Sequence, residues 1–298
     1  MNCFPQNARV CFVGDSITHN NRFVAHIVAY YRKHFPELKV EFYNCGISGG
    51  TLTTTLNSFD EDIAPLCPTH VVLMIGINDS NRSALKGAPE QKYETLKSAF
   101  EQYKINLDKF CQRIKDMGAA LTLCTPAPYA EYIESDEEPF RGCSALLLGY
   151  ADYVNAYAKE NGYNLCDYHS YMTKAMQTES LYNPDRVHPL PRGQYYMAKC
   201  FLEFQGLDLG DEAELPEDIA KWNEIVAKVR DTIATEHFIL EDDFTTTDEQ
   251  RIKAIKNYLE NPTGPSSEYF TQLAKAYQVN KPHQEEYKKF VIDFMKNQ

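Results

Sequence analysis

The chain is predicted to fold as an α/β protein with a parallel sheet of about five strands, followed by an all-helical C-terminal extension. Three observations predict this. Short apolar runs rich in β-branched residues alternate with longer helical patterns up to about residue 205. Glycines stand where those helical patterns stop, and beyond Gly206 the strand signal disappears. The boundary is accordingly drawn between an α/β part, residues 1–206, and a helical extension, residues 207–298.

The elements are expected in a fixed order. Arg9-Val10-Cys11-Phe12-Val13 opens a strand over 9–14, and further strands are read near 39–43, 71–76, 120–125 and 163–167. Between them fall helices at 23–34, at 89–117 stopped by Gly118, at 144–160 stopped by Gly162, and at 192–204. The stretch 207–215 is acidic and contains glycine. After it, Ile219, Trp222, Ile225, Val226, Val229 and Ile233 recur at steps of three and four, which places them on one helix face. Shorter stripes surround Ile255, Leu273 and Phe290. Such stripes read as packing surface, against the α/β part or in a homodimer.

Composition narrows the function. With 298 residues, 43% hydrophobic and 24% charged, the chain has the make-up of a folded soluble protein. A formal net charge of -12 argues against nucleic acid or an anionic membrane as partner, since both need clustered Lys and Arg. The acidic stretch Glu131 to Glu138 reads as a solvated loop. The 9 cysteines include no C-x-x-C pair and no Cys/His cluster, so neither a metal nor a disulfide framework is expected, and no cofactor. Reduced thiols in apolar runs suit a cytoplasmic location. The segment Met1-Asn2-Cys3-Phe4-Pro5 carries no signal-peptide pattern, and no apolar run is long enough to span a bilayer.

Four short blocks carry the chemistry. Gly14-Asp15-Ser16 ends the first strand, Asn44-Cys45-Gly46-Ile47-Ser48-Gly49 the second and Gly76-Ile77-Asn78-Asp79 the third; Asp185-Arg186-Val187-His188 follows the last strand. In an open parallel sheet ligands bind beyond the carboxyl ends of the strands, so the first three blocks converge on one edge. A serine hydroxyl needs a base to take its proton, and the oxyanion that forms needs preorganised donors. Ser16 opens a helix and can supply the hydroxyl. Gly46 offers an unobstructed N–H and Asn78 a side-chain amide. Asp185, three residues before His188, can reach the imidazole and fix its tautomer. Asp15 and Asp79 read as loop-holding residues. His19, one turn after Ser16, reads as a surface or substrate contact rather than a base. Cys45 has no identifiable partner base.

Taken together, the four blocks resemble those of the SGNH hydrolases, the GDSL-like lipase/esterase superfamily, over about residues 8–205; Ser80 stands where an apolar residue is common. The resemblance implies a flavodoxin-like three-layer α/β/α fold and metal-free esterase chemistry. It implies Ser16 as nucleophile, His188 as general base and Asp185 as its orienting acid, with an oxyanion hole of Ser16 N–H, Gly46 N–H and Asn78 Nδ2. The Gly-Asp-Ser-Ile-Thr form of the first block is similar to bacterial carbohydrate acetylesterases. The favoured expectation is therefore an esterase for O-acetyl groups on carbohydrate, with Tyr129, Tyr132, Phe140 and Tyr182 in loops where rings could stack on sugars. The competing expectations are a lipase, lysophospholipase or thioesterase for longer acyl chains, and a noncatalytic ligand-binding protein on the same fold.

Overall fold

The computed structural model of the chain describes residues 3–211, 214–239, 248–260, 262 and 267–296. Met1 and Asn2 of the N-terminal segment, and Glu212 and Ala213 of the acidic stretch, lie outside the described residues.

Five parallel strands, β1 (Arg9–Gly14), β2 (Glu41–Gly46), β3 (His70–Met74), β4 (Ala120–Cys124) and β5 (Asn164–Cys166), form one sheet in the order β2-β1-β3-β4-β5. This is the flavodoxin-like order, whose direction of winding reverses between β1 and β3. Alternation along β1 sorts the core into two faces. Val10 and Phe12 pack with α2 (Arg22–His34), α6 (Tyr168–Ala175) and α7 (Pro191–Phe204). Cys11 and Val13 pack with α4 (Pro89–Asp116) and α5 (Cys143–Asn161). The result is a three-layer α/β/α sandwich.

Two differences from the sequence reading bear on the site. β2 begins later and runs to Gly46, because its ladder with β1 continues until Gly46 stands opposite Gly14, while Lys39 takes a left-handed turn before it. Two short helices also flank the strand ends, α1 (Ser16–His19) and α3 (Leu52–Asn57). The α3 sequence Leu-Thr-Thr-Thr-Leu-Asn is β-branched and a weak helix former, and a capping box between Thr51 and Thr54 starts it.

Beyond residue 206 the elements are helical: α8 (Glu217–Ile239), α9 (Asp248–Glu260), α10 (Ser267–Asn280) and α11 (Gln284–Lys296). Ile219, Trp222 and Val226 of α8 and Met295 of α11 belong to the same buried cluster as Phe12 and Phe201, so the hydrophobic core crosses the expected boundary. Trp222 stacks on Phe294 at 5.8 Å. α8 and α11 pack against β2 and so cover an edge strand that would otherwise present unpaired backbone. Among the described residues no helix is long and apolar enough to cross a membrane.

Candidate active site

The site is assembled where the strand order reverses. Gly14, the last residue of β1, pairs with Gly46 on one side and Met74 on the other. A Cβ on Gly14 would lie 2.3 Å from the Met74 carbonyl oxygen, and one on Gly46 would lie 2.3 Å from His19 N. Both positions must be glycine for α1 to sit directly on the strand ends. Asp15 caps α1, its carboxylate accepting the Ile17 N–H at 3.0 Å, and Ser16 is the first helical residue.

Ser16 is brought to a histidine 172 residues away. Its Oγ donates to His188 Nε2 at 2.7 Å, and His188 Nδ1–H donates to Asp185 Oδ2 at 2.6 Å. The other oxygen of Asp185 accepts the backbone N–H groups of Val187 and His188, each at 2.9 Å. Burial opposes ionisation of Asp185, but the ring and the two amides outweigh it and hold the carboxyl at about 2. A hydroxyl, an imidazole and a carboxylate in this line can pass a proton from Ser16 to His188 and stabilise the imidazolium formed.

Arg186, to which the sequence pattern assigns no role, holds this loop. It is 4% exposed, adopts a left-handed φ of 66°, and donates to the carbonyls of Glu131, Ile133, Ser135 and Glu137. Its partners correct the view of the acidic stretch as wholly solvated. Glu131 is buried and accepts the N–H groups of Gly142 and Ser144 at the start of α5, while Glu134, Asp136, Glu137 and Glu138 are exposed.

In the third block, Asn78 Oδ1 accepts from Arg82 Nη1 at 3.2 Å and Asn78 Nδ2 donates to the Gly50 carbonyl at 3.0 Å. That orientation leaves one amide hydrogen for a ligand. Gly46 departs from expectation. Its N–H is donated to Asn44 Oδ1 at 2.8 Å, and its place is set by close packing under α1, so it is not an open donor. Three residues on, Gly50 N–H bonds the Ile47 carbonyl at 2.8 Å and Gly49 takes a φ of 78°, a type II turn that favours glycine at this position. The Gly49 N–H is outside the turn's own hydrogen bond and has no partner among the described residues. The signal for it was the Ser48-Gly49-Gly50 turn chemistry rather than the strand end.

The two motif aspartates hold loops. Asp79 Oδ1 accepts the Leu52 N–H at 2.8 Å, tying the third block to α3. Burial raises Asp15 to about 6 and, helped by Asp15, raises Asp79 to about 7. Cys45 is buried, and a hydrogen bond with Cys11 together with burial pushes its thiol well above the ordinary range, which removes it as a thiolate nucleophile.

A cavity of about 460 Å³ opens over Ser16 and His188. It is lined by Asn20, Ser48, Asn183 and Gln194 from the α/β part and by Asp231, Gln272, Leu273 and Ala276 from α8 and α10. None of the four loop aromatics lines it, and Gly46, Gly49 and Asn78 lie outside its lining as well. Tyr129 and Tyr182 are 2% and 3% exposed, Phe140 packs on Tyr129, and Tyr132 borders a different cavity, so the stacking expectation fails because these rings are spent on packing or face elsewhere. His19 is not a surface contact: it is 7% exposed at the cavity wall, with both ring nitrogens engaged, with Asp231 and with the Ser48 N–H.

Comparison with known proteins identifies the family. The model of the GDSL-like Lipase/Acylhydrolase family matches residues 12–195. An acetylxylan esterase of Geobacillus stearothermophilus is 28% identical over 220 residues, spanning 67% of this chain and 94% of that protein. A crystal structure of an acetylxylan esterase from that organism superposes with a TM-score of 0.58 at 26% identity, covering 69% of this chain and 97% of the other. A gut microbial diltiazem-metabolizing enzyme shares the fold of nearly the whole chain, C-terminal helices included, with a TM-score of 0.79 at 15% identity over 99% of this chain and 97% of that one. The chain thus belongs to the GDSL-like lipase/acylhydrolase family and is a carboxylic ester hydrolase.

Proposed function

We propose that the chain is a serine esterase that removes short acyl groups, O-acetyl groups on carbohydrate foremost, through an acyl-Ser16 intermediate. The observation that carries this reading is the unbroken line from Ser16 Oγ to His188 Nε2 at 2.7 Å and from His188 Nδ1 to Asp185 Oδ2 at 2.6 Å. Ser16 Oγ attacks the ester carbonyl carbon as His188 takes its proton. The tetrahedral oxyanion is received by Asn78 Nδ2 and by the N–H groups of Ser16 and Gly49. His188 returns the proton to the leaving alkoxide as the ester C–O bond breaks. Water, deprotonated by His188, then cleaves the acyl-serine to release the carboxylic acid and restore the Ser16 hydroxyl.

Support for the substrate comes from the cavity and the relatives. Its lining is mostly hydroxyl, amide and carboxylate groups, suited to a hydroxyl-rich alcohol, with Leu273, Ala276 and Pro189 as its apolar members. The curated relative at 28% identity is named for acetylxylan. The test is acetate release from acetylated xylo-oligosaccharides, with nitrophenyl esters of increasing chain length measured beside it. Rapid acetate release, falling activity beyond short acyl chains, and loss of both with Ser16→Ala are expected. Preference for long chains would replace the acetylesterase reading with a lipase or thioesterase one.

A further inference from the structure

Helix α8 lies outside the stretch matched by the family, yet two of its consecutive residues reach the end of β2 and α1. Arg230, 3% exposed, donates Nε to the Gly46 carbonyl at 2.8 Å and forms a two-bond pair with Asp62 at 2.6 and 2.7 Å. Asp231 Oδ1 lies 2.8 Å from His19 Nε2, and His19 Nδ1 lies 3.2 Å from Ser48 N. An N–H can only donate, so Nδ1 must carry a lone pair. The ring proton therefore sits on Nε2 and is donated to Asp231. Burial holds His19 below the ordinary histidine range in spite of the Asp231 carboxylate, which keeps the ring in this neutral form.

The Ser48 N–H held by His19 belongs to the turn whose next residue is Gly49. The far side of that turn is held by Asn78 Nδ2 on the Gly50 carbonyl. We propose that Asp231 is a positioning residue of the active site, which through the His19 tautomer holds the Ile47–Ser48 peptide that leads into Gly49 and so preorganises the oxyanion turn from outside the α/β part. This rests on the serine-esterase reading above. The chain of contacts explains why a histidine one turn from the nucleophile is 7% exposed and engaged at both nitrogens without touching the base. It also gives the C-terminal helices a role in turnover beyond covering β2. A displacement of an oxyanion donor by a fraction of an ångström to an ångström costs rate rather than affinity.

A double-mutant cycle on the full chain, with nitrophenyl acetate as substrate, tests it. Asp231→Ala should lower kcat by about 10- to 100-fold with KM little changed. Asp231→Asn keeps an oxygen that accepts the Nε2–H and should restore most of the rate. In a His19→Asn background, where the amide oxygen can still accept the Ser48 N–H but no longer reaches Asp231, Asp231→Ala should have less than about a twofold effect. An equal loss in both backgrounds, or a folded Asp231→Ala enzyme with unchanged kcat, overturns the proposal. Ring ¹⁵N NMR of the unmodified protein tests it without any variant: an Nε2–H tautomer of His19 at neutral pH is expected, and an Nδ1–H tautomer or an imidazolium overturns it. Failure of the underlying esterase reading would look different, as wild-type turnover that is absent or that survives Ser16→Ala.

Discussion

The two sides of the cleft are each fastened by one buried arginine, but to different parts of the chain. On the base side, Arg186 ties the Asp185–His188 loop to carbonyls between Glu131 and Glu137, all within the α/β part. On the other side, Arg230 and Asp231 come from α8 and hold Gly46 at the end of β2 and His19 of α1. The His188 loop is thus a local construction with its own support, while the contacts to Gly46 and His19 come from a region beyond the residues the family model matches, on which the proposed oxyanion turn would depend. Charge differs as well. The base-side carboxylate, Asp185, is held down at about 2, whereas burial raises Asp15 and Asp79 to about 6 and about 7.

The largest effect should come from the base side. Asp185→Asn leaves the shape but removes the charge that selects the tautomer, and kcat for an acetyl ester should fall about 10⁴-fold. A loss under tenfold would mean that Asp185 is dispensable for orienting His188. Next, Asn78→Ala should lower kcat by about 10² to 10³, the scale of one oxyanion donor, with a smaller change in KM. Equal rates would remove Asn78 from the oxyanion side.

Stability should separate the two arginines. Arg230→Met strands the Asp62 carboxylate, whose side chain is only 12% exposed, and should cost about 3–5 kcal/mol in denaturant unfolding. Arg186→Met strands carbonyls rather than a charge and should cost less; the reverse ranking would contradict the contrast drawn here.

The smallest effect is a pH dependence of opposite sign on the two sides. Asp15 and Asp79 have folded-state values above their ordinary 3.8, so their contribution is present below that value and is lost as pH rises through about 6 and 7. Asp185 is depressed, so its contribution is present above 3.8 and is lost as pH falls toward about 2. Asp79→Asn should therefore flatten the decline in stability between about pH 4 and 7, by up to about 1.4 kcal/mol per pH unit. An unchanged slope would show that Asp79 is ionised throughout that range.

Much of this was legible in the sequence because strand ends and catalytic residue types are local signals. The Ser16, His188 and Asp185 side chains meet in one hydrogen-bonded line, since each block follows a strand or a loop that ends at the same sheet edge. Gly46 was misread because the fate of its N–H is decided by Asn44, whose side chain turns back to it only once β2 is paired and α1 seated. The His19–Asp231 contact joins residues 212 apart, and nothing in local pattern links them. Tyr129 and Tyr182 looked available in loops, but loop position does not report burial, and both are packed away. The α8 stripe was readable as packing surface because Ile219, Trp222 and Val226 repeat at helical spacing; its partner surface on the α/β part was not.

Esterase chemistry at this site requires that Ser16 carry the acyl group during turnover. Mixing the enzyme with nitrophenyl acetate, quenching in acid during turnover and weighing the peptides should find one acetyl group on the peptide containing Ser16, and none in Ser16→Ala, which should also lack turnover. Turnover without acetylation of Ser16, or hydrolysis that persists in Ser16→Ala, would contradict it.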